Sequence, residues 1–453
     1  MTPPSDSPND PEQLAARLVG LEIELIRRAP ESDIEPTLDR VEAVLELLGA
    51  PQRSFPSIHV AGTNGKSSTT RMIDSLLASF GLRTGRFTSP HLETVRERIA
   101  LDGEPISEGQ LLTAWDEIAP YLTLVEQDGG RSLTFFEVLT VLAFVAFADA
   151  PVAVAAVEVG LGGTWDATNV VEAPVGVVMP IDLDHVDWLG HDIESIAQEK
   201  AGIIKQGMLA VIALQQPAAM QVLLDRCAEV GATVAREGVE FGVLEHRIAL
   251  GGQLLKLRGL GGEYEEIYVP LHGVHQAHNA ACALAAVEGF LGGGSGRLDA
   301  DLVREGFANV AVPGRLEIVR RGPAVVVDVA HNPAGAKALA AAVVDSFDFS
   351  QMVGVVGVLD DKDAAGILAA LEPLLSEVVI TASTSMRALQ PDRLAELAVD
   401  IFGDDRVMVE PLLPNALERA ITAAEADGDL GGAAVLVTGS VTIVAEARKL
   451  LKA

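Results

Sequence analysis

Ser57–Phe80 reads SIHVAGTNGKSSTTRMIDSLLASF, and this stretch decides the fold. Its first five residues, Ser57–Ala61, form a short run of β type. Gly62-Thr63-Asn64-Gly65 breaks that run, and Lys66–Phe80 is helical in pattern and closed by Gly81. Strand, glycine loop and helix in that order open an α/β domain. The glycines let backbone N–H groups converge on a phosphate, the helix N-terminus adds partial positive charge, and Lys66 adds a full one. A strict Walker pattern wants a glycine five residues before Gly65, where Val60 stands. The regular expression fails while its physical context holds, so this loop is read as one that grips nucleotide phosphates.

Upstream, Pro3–Pro11 is expected to be a frayed leader. Two helical patterns follow it, Gln13–Arg28 and Leu38–Leu48, the second with Val41, Val44, Leu45 and Leu48 on one face. Downstream, Val152–Val159 and Val175–Pro180 are continuous apolar runs, as in strands buried on both faces of a parallel sheet. Thr134–Phe147 and Ile193–Ile204 between and after them have helical patterning. Alternation across Ile248–Val269 suggests an antiparallel excursion, and a helix runs from about Ala277 to Phe290. Gly292–Gly296 has the composition of a linker. The domain junction is nevertheless placed at 312–316, because a fresh strand begins at Ala324–Val329 and β/α alternation restarts through Met352–Val358, Glu377–Ala382 and Ala434–Gly439. The expected architecture is a P-loop nucleotide-binding N-terminal α/β domain (1–311) with a mostly parallel sheet, followed by a smaller Rossmann-like α/β domain (317–453).

At 453 residues, two or three domains are the natural expectation, and 49% hydrophobic residues supply ample core. Cys227 and Cys282 are the two cysteines and make no CxxC, which argues against a disulfide framework or a structural zinc site. A net charge of −31 and 4% aromatic residues argue against nucleic acid and anionic membranes as partners. An anionic substrate must therefore be held by a local basic or metal-lined site. Residues 1–13 are acidic and proline-rich without Lys or Arg, unlike a signal peptide. Val138–Ala148 ends at Asp149, well short of the roughly 20 residues a membrane span needs. A soluble, cytoplasmic protein is expected.

Glu158 ends one apolar run, just before Gly160-Leu161-Gly162-Gly163, and Asp182-Leu183-Asp184-His185 ends the next. The C-terminal edge of a parallel sheet is where ligands bind. Taken singly, Glu158 reads equally as a solvated turn residue or a functional one, His185 as structural, Lys200 as a helix-surface lysine, and Phe135 and Phe136 as core aromatics. Two successive strands that deliver Glu158 and His185 beside a phosphate loop make a better case for Mg²⁺, in an octahedral site completed by phosphate and water.

The motifs HVAGTNGKSST (His59–Thr69), FTSPHL (Phe87–Leu92), EVGLGGTWDATN (Glu158–Asn169), DLDHVDWLG (Asp182–Gly190), EKAGII (Glu199–Ile204), PGR (Pro313–Arg315) and DVAHNP (Asp328–Pro333) occur in one order. Together they resemble the Mur-ligase superfamily, specifically its folate branch of bifunctional dihydrofolate synthase/folylpolyglutamate synthases. The resemblance implies an ATP-dependent ligase that adds L-glutamate to dihydropteroate and to reduced folates through an acyl phosphate. It assigns Gly62, Thr63, Asn64, Gly65, Lys66, Ser67, Ser68, Asn279, Arg315 and Asp328 to ATP. It surrounds two Mg²⁺ ions with Ser89, Glu158, His185 and Lys200, the lysine carbamoylated. Thr134, Phe135, Phe136, Glu137 and Asp166 match pterin-binding positions, Arg387 and Ser440 are candidates for glutamate, and His331 is a candidate base. Lys66, His185, Lys200 and His331 form the expected catalytic set.

The sequence departs from the family pattern at Ser67, Thr164 and Pro36-Thr37-Leu38, where glycine, a basic residue and Leu-Gly-Leu are commoner. Rival readings are a synthase of polyglutamates alone, a peptidoglycan Mur ligase and a regulatory P-loop switch. The peptidoglycan reading needs a UDP-binding domain before Gly62, where about two helices stand. The switch reading lacks an Asn-Lys-x-Asp sequence, Asp360-Asp361-Lys362-Asp363 being the nearest. A monomer is expected, without nucleic-acid or membrane partners.

Overall fold

The computed structural model describes residues 11–29, 35–127, 131–294, 296–426 and 432–452. The expected leader lies outside them except for Pro11, which opens helix Pro11–Arg27. Internal contacts divide the chain into two units. The first runs to Gly242 and takes in Arg258–Glu263 and Ala281–Gly306; the second comprises Val243–Leu257, Tyr264–Ala280 and the chain from Phe307 onward.

Strand Ser57–Ala61 lies inside an eight-stranded sheet in the first unit and is buried along its whole length. It pairs in parallel with Val154–Glu158 on one side and Val175–Val178 on the other, so Val60 stands opposite Glu158 and Val177. Both neighbours are also buried throughout, which is why their sequences read as unbroken apolar runs. Thr84–Phe87 joins Val154–Glu158 in parallel, followed by the short antiparallel strands Ile99–Leu101 and Glu104–Pro105. Leu209–Ile212 and Thr233–Arg236 extend the other side in parallel. Helix Phe135–Asp149 is apolar on every side and buried from Glu137 to Phe147. Such a helix belongs inside a core. It joins Leu21, Leu25, Val41, Val44, Leu45 and Phe87 in one hydrophobic cluster.

The second unit holds a six-stranded sheet in the order Glu317–Arg321, Ala324–Val327, Ala433–Thr438, Gln351–Val356, Glu377–Ala382, Val407–Leu412. All its pairs are parallel except the first, a hairpin edge. Gly242–Ala249, Gly252–Arg258 and Glu263–Val269 form a separate three-stranded sheet, its strands joined through Leu250–Gly251 and Gly259–Gly262. Connections so short suit antiparallel neighbours. Of the stretch Gly292–Gly296, with its linker-like composition, Gly292 ends helix Val274–Gly292, and Gly293, Gly294 and Gly296 lie before helix Ala300–Ala308, while Ser295 is outside the described residues. Among the described residues no helix is long and apolar enough to cross a membrane.

Candidate active site

The loop after strand Ser57–Ala61 turns on two left-handed glycines, Gly62 at φ 144° and Gly65 at φ 89°, the latter capping helix Lys66–Ser79. Thr63 anchors it: its N–H donates to Pro180 O at 2.9 Å, and its hydroxyl exchanges bonds with Asp182 N–H and C=O, both at 3.0 Å. A Cβ at Gly62 would lie 2.6 Å from Met179 Cβ and 3.0 Å from its backbone. Gly62→Ala is therefore expected to destabilise the chain by roughly 2–4 kcal/mol in urea unfolding, from combined strain and overpacking.

Lys66 Nζ donates to Gly62 O at 3.0 Å and Thr63 O at 3.3 Å. Lys200, on helix Ile193–Ala201, also reaches Gly62 O, with Nζ at 3.0 Å. The sequence alone favoured a surface position for this lysine; it is 4% exposed. Burial first and the Lys66 charge second lower its pKa to about 7, against Asp184, Asp166 and Glu199.

Glu158, 1% exposed, sits where its strand ends. One carboxylate oxygen accepts the Ser67 hydroxyl at 2.7 Å, and the other accepts the Ser89 N–H at 3.2 Å. Ser67, Ser89 and Glu158 are thus brought together, while Ser68 is buried one residue along the helix. His185 adopts a left-handed conformation at the start of helix Val186–Leu189, with Nε2 3.9 Å from Asp184 Oδ2. Arg71, one helical turn beyond Ser67, escaped the sequence reading. Burial and Arg86 lower its pKa to about 10, opposed by Glu158, Glu97 and Asp74. The i,i+4 spacing from Ser67 was the available signal.

Among the described residues no group of three or more His, Cys, Asp and Glu is arranged to hold a metal. A cation here would depend on hydroxyl and phosphate oxygens beside Glu158. That donor set is hard and oxygen-rich, and it fits Mg²⁺.

Thr134 and Glu137 spend their side chains on a reciprocal capping box: Thr134 N–H donates to Glu137 at 2.7 Å, and Glu137 N–H to Thr134 Oγ1 at 3.3 Å. Glu137 also pairs with Arg40 at 2.8 Å. The Phe135 and Phe136 rings are partly buried and pack against the hydrophobic core, as core aromatics do. Arg98 lies 5.1 Å over Phe135, and Phe136 packs 5.7 Å from Phe87. Asp166 is 3% exposed, its carboxyl oxygens engaged by the Leu161 and Thr168 N–H groups and the Thr168 hydroxyl. Burial raises its pKa against those donors. Thr164, where the family pattern favours a base, donates both its N–H and its hydroxyl to Glu199 O at 3.1 Å.

In the second unit, Asp328 directly follows strand Ala324–Val327 and accepts Leu316 N–H at 2.9 Å and Ala330 N–H at 2.8 Å. Burial raises its pKa, and Arg315 opposes the shift. His331 Nδ1 donates to Val329 O at 2.9 Å, which leaves Nε2 as the nitrogen able to take a proton. Asn279 donates to Gln276 at 3.0 Å. Ser440 is 1% exposed and accepts the Ile443 N–H at 3.3 Å at the start of helix Val441–Lys452. Arg387 pairs with Asp361 at 2.8 Å and lines an open cavity of about 470 Å³ with Asp360, Met386 and Arg393.

A glycine loop that opens a helix at the C-terminal edge of a parallel sheet, with a buried carboxylate and two lysines beside it, suits an enzyme that uses a nucleotide. The Mur ligase middle-domain family matches residues 60–287, and the Mur ligase glutamate ligase domain matches 314–441. The chain is 52% identical over 462 residues to the dihydrofolate synthase/folylpolyglutamate synthase of Mycobacterium tuberculosis, covering 97% of this chain and 95% of that one. It is 35% identical over 423 residues to the Escherichia coli enzyme of the same name, covering 93% and 92%. A solved structure of M. tuberculosis folylpolyglutamate synthase complexed with ADP superposes at TM-score 0.93 with 51% identity, covering 97% of this chain and 99% of that one. E. coli FolC in complex with DHPP and ADP superposes at 0.82 with 32% identity, covering 98% and 99%. The chain belongs to the Mur ligase family, in its branch of dihydrofolate synthase/folylpolyglutamate synthases. It is an ATP-dependent ligase, and the switch and peptidoglycan readings fall away.

Proposed function

We propose that this ligase joins L-glutamate to dihydropteroate, giving dihydrofolate, and to reduced folates, lengthening their glutamate tails. The observation that carries the reading is the meeting of Lys66 and Lys200 on Gly62 O beside the Ser67–Glu158 bond, at the edge bordered by Phe136. Amide formation from a free carboxylate is uphill in water, so the carboxylate is activated first. Its oxygen attacks the γ-phosphorus of ATP, the bond to the β-bridging oxygen breaks, and ADP leaves. The deprotonated α-amine of glutamate then attacks the acyl carbon, the C–N bond forms, and inorganic phosphate departs with the C–O bonding electrons.

Lys66 is proposed to neutralise charge on the transferring phosphoryl group from a position fixed before reaction. Two Mg²⁺ ions, held by Ser89, Glu158, His185 and carbamoylated Lys200, would add the same neutralisation at the phosphate oxygens. Carbamoylation needs a neutral amine: its lone pair attacks the carbon of CO₂, an N–C bond forms, and a proton leaves. The lowered pKa of Lys200 supplies that amine near neutrality. Asn279, Arg315 and Asp328 are proposed for the nucleotide, His331 Nε2 as the base for the glutamate ammonium, and Arg387 and Ser440 for glutamate. Phe135, Phe136 and Asp166, with the capped Thr134–Glu137 turn, are proposed to border the pterin. A monomer acting in the cytoplasm, with 312–316 as the junction of its two domains, completes the reading.

ADP release with glutamate plus either dihydropteroate or tetrahydrofolate tests it. Glutamate-dependent release with both substrates is expected. Release with tetrahydrofolate alone would reduce the activity to polyglutamate synthesis, and release with neither would overturn it.

A further inference from the structure

A buried polar chain ties the nucleotide strand to the proposed pterin wall. His59, in the middle of strand Ser57–Ala61, is fully buried, with Nε2 2.9 Å from Thr168 Oγ1. The Thr168 hydroxyl in turn hydrogen-bonds Asp166 Oδ1, which also accepts the Thr168 N–H at 3.0 Å. Asp166 Oδ2 accepts the Leu161 N–H at 2.8 Å. A carboxyl surrounded by donors takes the hydroxyl hydrogen, so His59 must donate to the hydroxyl oxygen. That fixes the proton on Nε2 and leaves Nδ1 bare, in keeping with the lack of any partner for Nδ1 in its buried surroundings. Burial, with the Lys205 charge, lowers the imidazole pKa to about 3, so the ring stays neutral across the working range.

The far end of this chain is the turn that follows Glu158. A Cβ on Gly160 would lie 2.4 Å from Phe136 Cζ, so backbone and ring are in direct contact. Moving the Gly160–Leu161 turn therefore moves the ring, and the Asp166 carboxyl ties that turn down at the Leu161 N–H.

We infer that His59 and Thr168 are positioning residues for the pterin end of the substrate, fixing the Gly160–Leu161 turn and the Phe136 ring through Asp166. The inference rests on the pterin-binding reading of Phe136 and Asp166. None of His59, Thr168, Asp166 and Phe136 need touch ATP, so the effect should fall on one substrate.

Steady-state kinetics of the full chain test this with Thr168→Val, Thr168→Ser, His59→Gln and Phe136→Ala. Thr168→Val removes the hydroxyl at nearly constant volume and is expected to raise the dihydropteroate KM about tenfold, with the ATP KM within about twofold. Thr168→Ser keeps the hydroxyl, and His59→Gln can place an amide N–H near the lost Nε2–H, so both are expected to stay within about threefold of the parent. Where Thr168→Val does not fold, Thr168→Ala lacks the same hydroxyl without the added methyl. An unchanged dihydropteroate KM in the hydroxyl-free variant, with a raised one in Phe136→Ala, would overturn the inference and leave the pterin wall standing. No change in either variant would overturn the wall and the inference with it. A KM raised equally for ATP and dihydropteroate would make the chain a general brace and also overturn the proposal.

Discussion

Lys66→Ala is expected to lower kcat for glutamate-dependent ADP release by about 10³-fold or more while leaving the fold in place. Its bonds to Gly62 O and Thr63 O lie within its own loop. The loop keeps independent anchors after the substitution: Thr63 N–H on Pro180 O, the Thr63–Asp182 exchange, and Lys200 on Gly62 O. The melting temperature should therefore move by only a few degrees, on the order expected for about 1 kcal/mol. The catalytic loss should be far larger, because a fixed charge in a partly buried site acts most strongly on charge that develops during transfer. A second signature follows from the neighbouring lysine. The Lys66 charge helps to lower the Lys200 pKa, so that pKa should rise in the variant. Turnover near the parent level, with the chain folded by circular dichroism, would remove the phosphate loop from the mechanism.

Much of this site was legible because its residues stand at strand ends, where chain order already reports position. Ser57–Ala61 forms a strand over the expected residues, and Glu158 ends the strand Val154–Glu158 that pairs beside it. Continuous apolar runs made the central strands plain. The short strands Ile99–Leu101 and Glu104–Pro105 carry no readable period, because their runs are too short.

Side-chain use was harder to read than side-chain position. TFFE matched a pterin-binding segment by resemblance, yet it is also a Thr-x-x-Glu capping box, and the cap engages both polar side chains. Spacing makes Lys200 an ordinary helix lysine. Its burial follows from Gly163, where a Cβ would lie 2.7 Å from Glu199 O and 3.0 Å from Lys200 O. Such a close approach between two segments far apart in sequence leaves no local signal. His59 was hidden for the opposite reason: a histidine inside an apolar strand looks like filler until its partner Thr168 folds against it.

Lys200→Met is expected to stabilise the unliganded chain at pH 6 and to lower ligation by at least about 10²-fold. The folded pKa of Lys200, about 7, lies below its ordinary 10.5. Between those values the unfolded chain holds a proton that the folded chain has released. Stability therefore rises with pH through that window, and below about 7 the penalty for a buried charge stands in full. Methionine carries no charge, so the variant should lose this slope and gain most where the parent is weakest. Urea unfolding of both chains at pH values from about 6 to 9.5, in buffer stripped of CO₂, measures the difference directly. Bicarbonate should act in the other direction on function: it should raise parent activity near pH 8, leave the variant unchanged, and give a carbamate signal in ¹³C spectra of the parent alone. A pH slope that survives in Lys200→Met would place the buried proton on another group, and the case for a carbamate ligand at this position would go with it.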